Sequence, residues 1–204
     1  MSDDQITEVP GVHLPKTKVG LLKINALVDA AETLFSRSGF FDVSVSDICK
    51  KAHTAIGTFY IYFESKTDIY RYLVERYKEN IRRVLADSIS GCRTRREAER
   101  EGIKCFIRYA VANPNIYKII WGSLAVEKQM FEDYYVSFAK SYANMLARAE
   151  DELKINDALS TAYMLMGITN FVGLQALFEN MTDDQIDRAI DDTVMPILEN
   201  GMFK

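Results

Sequence analysis

The chain has 204 residues, 48% apolar and 26% charged, which is enough for a full core and too apolar for general disorder. A net charge of −4 argues against indiscriminate nucleic-acid binding, and no apolar run reaches the roughly 18 residues a membrane span needs. Three cysteines and two histidines in no ligand-like spacing leave no metal site and no cofactor to expect.

Residues 1–19, with Pro10, Gly11 and Pro15, read as a flexible arm, and Lys16 and Lys18 sit where they could touch phosphate. The opening MSDDQITEVP has neither the charge order nor the apolar stretch of a secretion signal, so a cytoplasmic protein is expected. From Leu21 to Ser38, Ile24, Leu27, Val28, Ala31, Leu34 and Phe35 recur at three and four residues. That is an amphipathic helix, closed by Gly39, with Phe40 and Phe41 expected to pin the next connection.

Ser44 with Asp47 forms a capping box for a short helix from Val45 to about Ala52, burying Val45, Ile48 and Ala52. After a break at His53-Thr54, a second short helix runs from Ala55 to about Phe63. Ser65 with Asp68 repeats the capping pattern and opens a longer helix to about residue 88, with Ile69, Leu73, Tyr77, Ile81 and Val84 on one face. Gly91–Thr94 marks a loop, and helices follow from Thr94, Pro114, Glu127, Asp157 and Thr182, the last ended or kinked near Pro196. No strand pattern competes, so the fold expected is all-α.

Two short helices joined by three or four residues form the unit that places its second helix in a DNA major groove. Ala55, Phe59 and Phe63 are expected to pack inward. Thr58, Tyr60 and Tyr62, with Lys66 beyond, form a set suited to gripping phosphate, and Gly57 leaves room for a backbone to approach. Residues 16–66 carry seven Lys or Arg against five acids, whereas both flanks are acidic.

These features resemble the TetR family of transcriptional regulators. The matching segments are the first helix ending SRSGF, then SVSDICKKA, then IGTFYIYFESK, with dense similarity over about residues 21–75. The resemblance implies an N-terminal three-helix DNA-binding domain at 20–65 and a connecting helix at 66–88. An effector-binding and dimerisation domain would follow at 89–204. It implies a homodimeric repressor that leaves operator DNA when a small molecule binds. It assigns Ser44, Thr58, Tyr62 and Lys66 to phosphate, Tyr60 to phosphate or base, and Ser46, Ala55, Ile56 and Ile61 to positions that often read bases. Ser46 and Ile56 depart from the arginine and the lysine or glutamine frequent there, and His53 replaces the usual turn glycine. Without an Arg or Lys to read guanine, specificity is expected to lean on thymine methyls and DNA deformability.

In the C-terminal half, residues 157–178 are apolar all round, so one side is expected against a second subunit, with Gly167 and Gly173 permitting close approach. Ile186, Ile190, Val194 and Ile197 are expected to join it. Phe106, Tyr109, Tyr117, Trp121, Phe131, Tyr134, Met164 and Phe171 could line an effector pocket or simply belong to the core. Cys49 and Cys105 read as inert buried thiols or, less simply, as part of a redox pair. Catalysis is not expected: no nucleophile has a nearby base, and the acidic runs fit solvated helix faces. A helical ligand carrier without DNA activity is the other alternative, and it leaves the groove-facing residues unexplained.

Overall fold

The computed structural model describes residues 9–204. Among these the only strand-like pairings are two isolated bridges, and the rest of the regular structure is helical, as an all-α fold requires. The described residues pack into two compact units, one of those up to 79 with 115–134 and the other of 80–114 with 135–204.

In the first unit, α1 (Lys18–Ser38) begins three residues earlier than the periodicity suggests, because the Thr17 side chain accepts from the Gly20 amide. Ile24, Leu27, Val28, Ala31 and Phe35 are buried as their spacing requires, and Gly39 ends the helix at φ 79°, open to glycine without strain. Next come α2 (Val45–Lys51), α3 (Ile56–Tyr62) and α4 (Lys66–Ile89), the last running on into the second unit. α1, α2 and α3 pack on one another. Only Phe40 pins the α1–α2 connection; Phe41 is exposed, since its ring stacks edge-on against Phe40 from outside.

α6 (Asn115–Val126) lies against α1. It runs past Gly122, where its end was expected; there an added Cβ would meet the Tyr70 hydroxyl at 2.6 Å. That hydroxyl donates to the Ile119 carbonyl, and burial pushes the phenol far up. Arg76 reaches Asp29 and Glu32 on α1, and Tyr77 donates to Glu32. α4 is therefore tied to both neighbours by polar contacts as well as by Ile69, Leu73 and Tyr77.

In the second unit, α5 (Arg95–Ala112) packs on α8 (Ala158–Phe178), and α9 (Asp183–Ala189) lies against α5. α7 (Lys128–Ala147) stops short of the long helix expected and gives way to a 3-10 turn at Glu150–Glu152. α9 leads through a π turn at Ile190–Val194 into α10 (Met195–Gly201). The kink expected at Pro196 takes this form because proline has no N–H for the Asp192 carbonyl and its ring crowds that oxygen. Ile186, Ile190 and Val194 are buried in the core of their own unit and are not available to a partner; Ile197 is exposed.

One buried charge, Lys104, sits beneath this layer. Lys104, 2% exposed, donates to Asp191 at 2.8 Å, and Arg100 grips the same carboxylate through two nitrogens at 2.7 Å. The Arg100 hydrogen bonds and the Lys104 ammonium hold Asp191 down at about 2. A folded-state value below the unfolded one, about 3.9, means stability is fully present above pH ~4 and is lost as pH falls toward 2. Urea titrations across that window should show a steep loss for wild type and a shallower one for Asp191→Asn. Equal slopes would remove Asp191 from the acid response.

A candidate nucleic-acid interface on the third helix

The capping box at Ser44 is complete. The Ser44 amide and hydroxyl both donate to Asp47 Oδ2, at 2.9 and 2.6 Å, and the Asp47 amide returns to Ser44 Oγ at 3.1 Å. These bonds hold the Asp47 carboxyl below its ordinary range. The Ser44 hydroxyl is exposed, with its proton directed to Asp47, so toward a phosphate it presents only acceptor character until that bond breaks. Ser46 is exposed one position on, and Ile48 and Cys49 form the buried side of α2.

Between the helices, His53 stands at φ 52°, the left-handed turn expected where glycine is usual. It is exposed, and the Thr54 amide closes the turn on the Cys49 carbonyl at 3.0 Å. Replacing an exposed left-handed residue with glycine removes its Cβ clash, against a smaller loss to unfolded-chain entropy. His53→Gly should therefore raise stability by about 0.5–1 kcal/mol. A lower thermal midpoint would show that the imidazole has its own favourable role.

α3 has two sharply different sides. Phe59 and Phe63 are fully buried and Tyr62 is 7% exposed, so the inner face is Phe59, Tyr62 and Phe63 at three- and four-residue spacing. Their rings continue into α4 through a Phe63–Tyr72 contact at 5.9 Å. The outer face is Ile56, Tyr60 and Ile61, exposed by 49, 54 and 61%. Gly57 lies among them, with no heavy atom near the site of an added Cβ. Ala55, expected inside, is an exposed N-cap because the helix begins one residue later. Thr58 is half-buried, between the two sides.

The residues paired for phosphate are thus divided. Tyr60 is presented outward, whereas Tyr62 turns to the core. Lys66 is half-buried, and its ammonium donates to the Phe40 and Val43 carbonyls at 2.8 and 2.7 Å while lying over the Phe40 ring. Two of its three N–H groups therefore fasten the α1–α2 connection, and desolvation lowers its affinity for the proton.

Sequence reasoning missed residues 9–13, which are held rather than loose; residues 1–8 of the expected arm lie outside the described residues. The available signal was the Pro10-Gly11 pair, which favours a tight turn. It also missed Phe41, whose exposure no periodicity marks.

The aromatic side chains expected around an effector are divided between the two units. In the first unit Tyr117 and Tyr134 are buried, Phe131 is half-buried, and Trp121, 41% exposed, meets Tyr117 edge-on at 5.7 Å. In the second unit Phe106 packs against the core and Tyr109 is half-buried. Met164 and Phe171 are exposed on α8, by 51 and 69%. α8 carries no charged residue over its 21 residues and is long and apolar enough by composition to cross a membrane. Met164, Gly167, Phe171 and Phe178 repeat along its exposed side.

Known proteins resemble this chain in both sequence and fold. The family described as bacterial regulatory proteins, tetR family, matches residues 27–73, which span most of α1 and all of α2 and α3. The HTH-type transcriptional regulator YvdT of Bacillus subtilis is 40% identical over 78 residues, 38% of this chain and 37% of that protein. The fatty acid metabolism regulator protein of the same organism is 37% identical over 59 residues, 29% of each chain. The matched part is therefore 37% and 29% of these two curated relatives' length. The structure of the fatty acid degradation regulator FadR from Bacillus halodurans superposes with TM-score 0.73 at 17% identity, covering 86% of this chain and 94% of that one. A TetR family transcription regulator from Marinobacter aquaeolei gives 0.69 at 20% identity, covering 83% and 92%. With the capped pair of short helices, the outward face of α3 and the matched segment together, residues 27–73 form a domain of the TetR family of bacterial regulatory proteins.

Proposed function

We propose that the protein is a homodimeric transcriptional regulator in which α3 enters the major groove of operator DNA. The observation that carries this reading is the outer face of α3: Ile56, Gly57, Tyr60 and Ile61 stand exposed while Phe59, Tyr62 and Phe63 hold the opposite side. A soluble core has no use for two isoleucines and a tyrosine on the surface of a seven-residue helix. A groove lined with thymine methyls does.

Within this proposal Ser46, Ala55, Ile56 and Ile61 face base edges, and Tyr60, Thr58 and Ser44 face sugar and phosphate. Tyr62 supports from beneath, and Lys66 holds its loop with one N–H left for phosphate. Exposed Lys16, Lys18, Lys50 and Lys51 supply the positive charge that a net acidic chain otherwise lacks. Selection from random duplexes tests this reading. It should return a two-fold site with half-sites about one helical turn apart and A·T pairs at the isoleucine positions. Recovery of no enriched duplex would defeat it, and invariant contacted G·C pairs would defeat its readout.

Repression relieved by a small apolar or aromatic effector belongs to the same proposal, as does residence in the cytoplasm. Phe106, Tyr109, Tyr117, Trp121, Phe131 and Tyr134 are the candidate effector contacts. The names of relatives concerned with fatty acid metabolism support an apolar compound. Met164 and Phe171 are better used at the subunit interface, because α8 exposes them.

A further inference from the structure

We infer that residues 9–13 form a strap that positions the recognition helix α3 from its C-terminal end, acting on operator binding without touching DNA. The inference rests on the operator-binding reading above and concerns residues outside the matched 27–73 segment.

A seven-residue helix is marginal alone, and its last carbonyls have no partner within the helix. Here the partner comes from the distant N-terminal segment. The chain leaves α3 at Phe63 in extended geometry, φ −135° and ψ 128°, and there Val12 pairs with Phe63 in an antiparallel bridge. The His13 amide donates to the Tyr62 carbonyl at 2.8 Å, and the Glu64 amide donates to the Gly11 carbonyl at 3.0 Å. Both sides of the helix end are therefore closed by main chain, a geometry independent of side-chain identity.

The strap is itself anchored. Val9 is buried, and Val9–Val12 is a tight turn closed by the Val12 amide on the Val9 carbonyl at 3.1 Å. Pro10 supplies the bend and Gly11 takes φ 72°, the glycine-requiring position of a type II turn. A Cβ at Gly11 would meet Asp68 Cγ at 2.5 Å, so the turn is seated against the first turn of α4. Arg71 donates to the Pro10 carbonyl and forms ion pairs with Asp68 and Glu127. By contrast, the His13–Glu64 side-chain pair is exposed on both partners and adds little.

The test compares operator affinity, its salt dependence and amide exchange in α3, using a duplex recovered by selection. His13→Pro removes the donor to Tyr62 and nothing buried, and deletion of residues 2–13 removes the whole strap. Both should weaken binding about tenfold with an unchanged salt slope, and both should speed exchange of α3 amides. His13→Ala keeps the N–H and should stay within about twofold of wild type, as should deletion of residues 2–8. Unchanged affinity and exchange in His13→Pro and in the longer deletion would overturn the strap. So would a loss already complete on deleting residues 2–8, or a shallower salt slope, which marks a phosphate contact. If wild type itself binds no selected duplex, the regulator reading fails, and α3 exchange still decides the strap independently.

Discussion

Replacing Arg95 by methionine should cost about 3–5 kcal/mol of stability. Glu99 is 1% exposed, and its carboxylate is satisfied by the Arg95 guanidinium on one oxygen and the Tyr142 hydroxyl on the other. The Arg95 guanidinium also lies over the Tyr142 ring, and burial with the adjacent carboxylate pushes that phenol up. Removing the guanidinium leaves a buried carboxylate with one neutral donor, an uncompensated charge in a low-dielectric interior. The control follows from the same physics. The triple change Arg95→Met, Glu99→Leu and Tyr142→Phe removes every member of the cluster together and should recover most of the loss. Urea unfolding at neutral pH measures both. A single variant within about 0.5 kcal/mol of wild type would show that the cluster relaxes or hydrates freely.

Charging α8 should have the largest effect on DNA binding. Met164, Phe171 and Phe178 recur every seven residues on its exposed side, and Gly167 lies between with open space above it. In the proposed homodimer this stripe would pair with its own copy about a two-fold axis, the same surface serving both subunits. Phe171→Glu would bury a carboxylate against its own symmetry mate and should convert the protein to a monomer by sedimentation equilibrium. The two reading heads would then bind independently, and affinity for a two-fold site should fall by about 10²–10⁴-fold. A variant that remains dimeric would place the interface elsewhere and leave the stripe to another partner.

Much of the DNA-binding unit was legible because its signals are local. Ser44 with Asp47, the turn at His53 and the inward Phe59 and Phe63 follow from caps, breakers and spacing, and the first helix follows from its periodicity. Tyr62 was misplaced for a physical reason. In IGTFYIYF apolar and aromatic residues occupy nearly every position, so the pattern does not say which side packs inward. Only the burial of Phe59, on a helix that packs on α1 and α2, sets the rotation, and Tyr62 turns in with it. Lys66 was read as free to meet phosphate because sequence cannot show that two loop carbonyls lie within its reach. α8 is the same problem on a larger scale: a helix apolar all round does not reveal which stripe its own chain leaves bare. The strap escaped because its partners are about 50 residues away and its bonds are main-chain, with only Pro10-Gly11 to mark the turn.

If the outer face of α3 lies against base pairs, a single charge placed there should abolish tight binding and leave the fold intact. Ile61 is 61% exposed, so Ile61→Glu should fold with an unchanged thermal midpoint. Titrated against the selected duplex by fluorescence anisotropy, it should lose at least about tenfold in affinity, since a carboxylate would face thymine methyls and a phosphate-lined groove. Undiminished binding by the folded variant would contradict the placement of α3 in the groove.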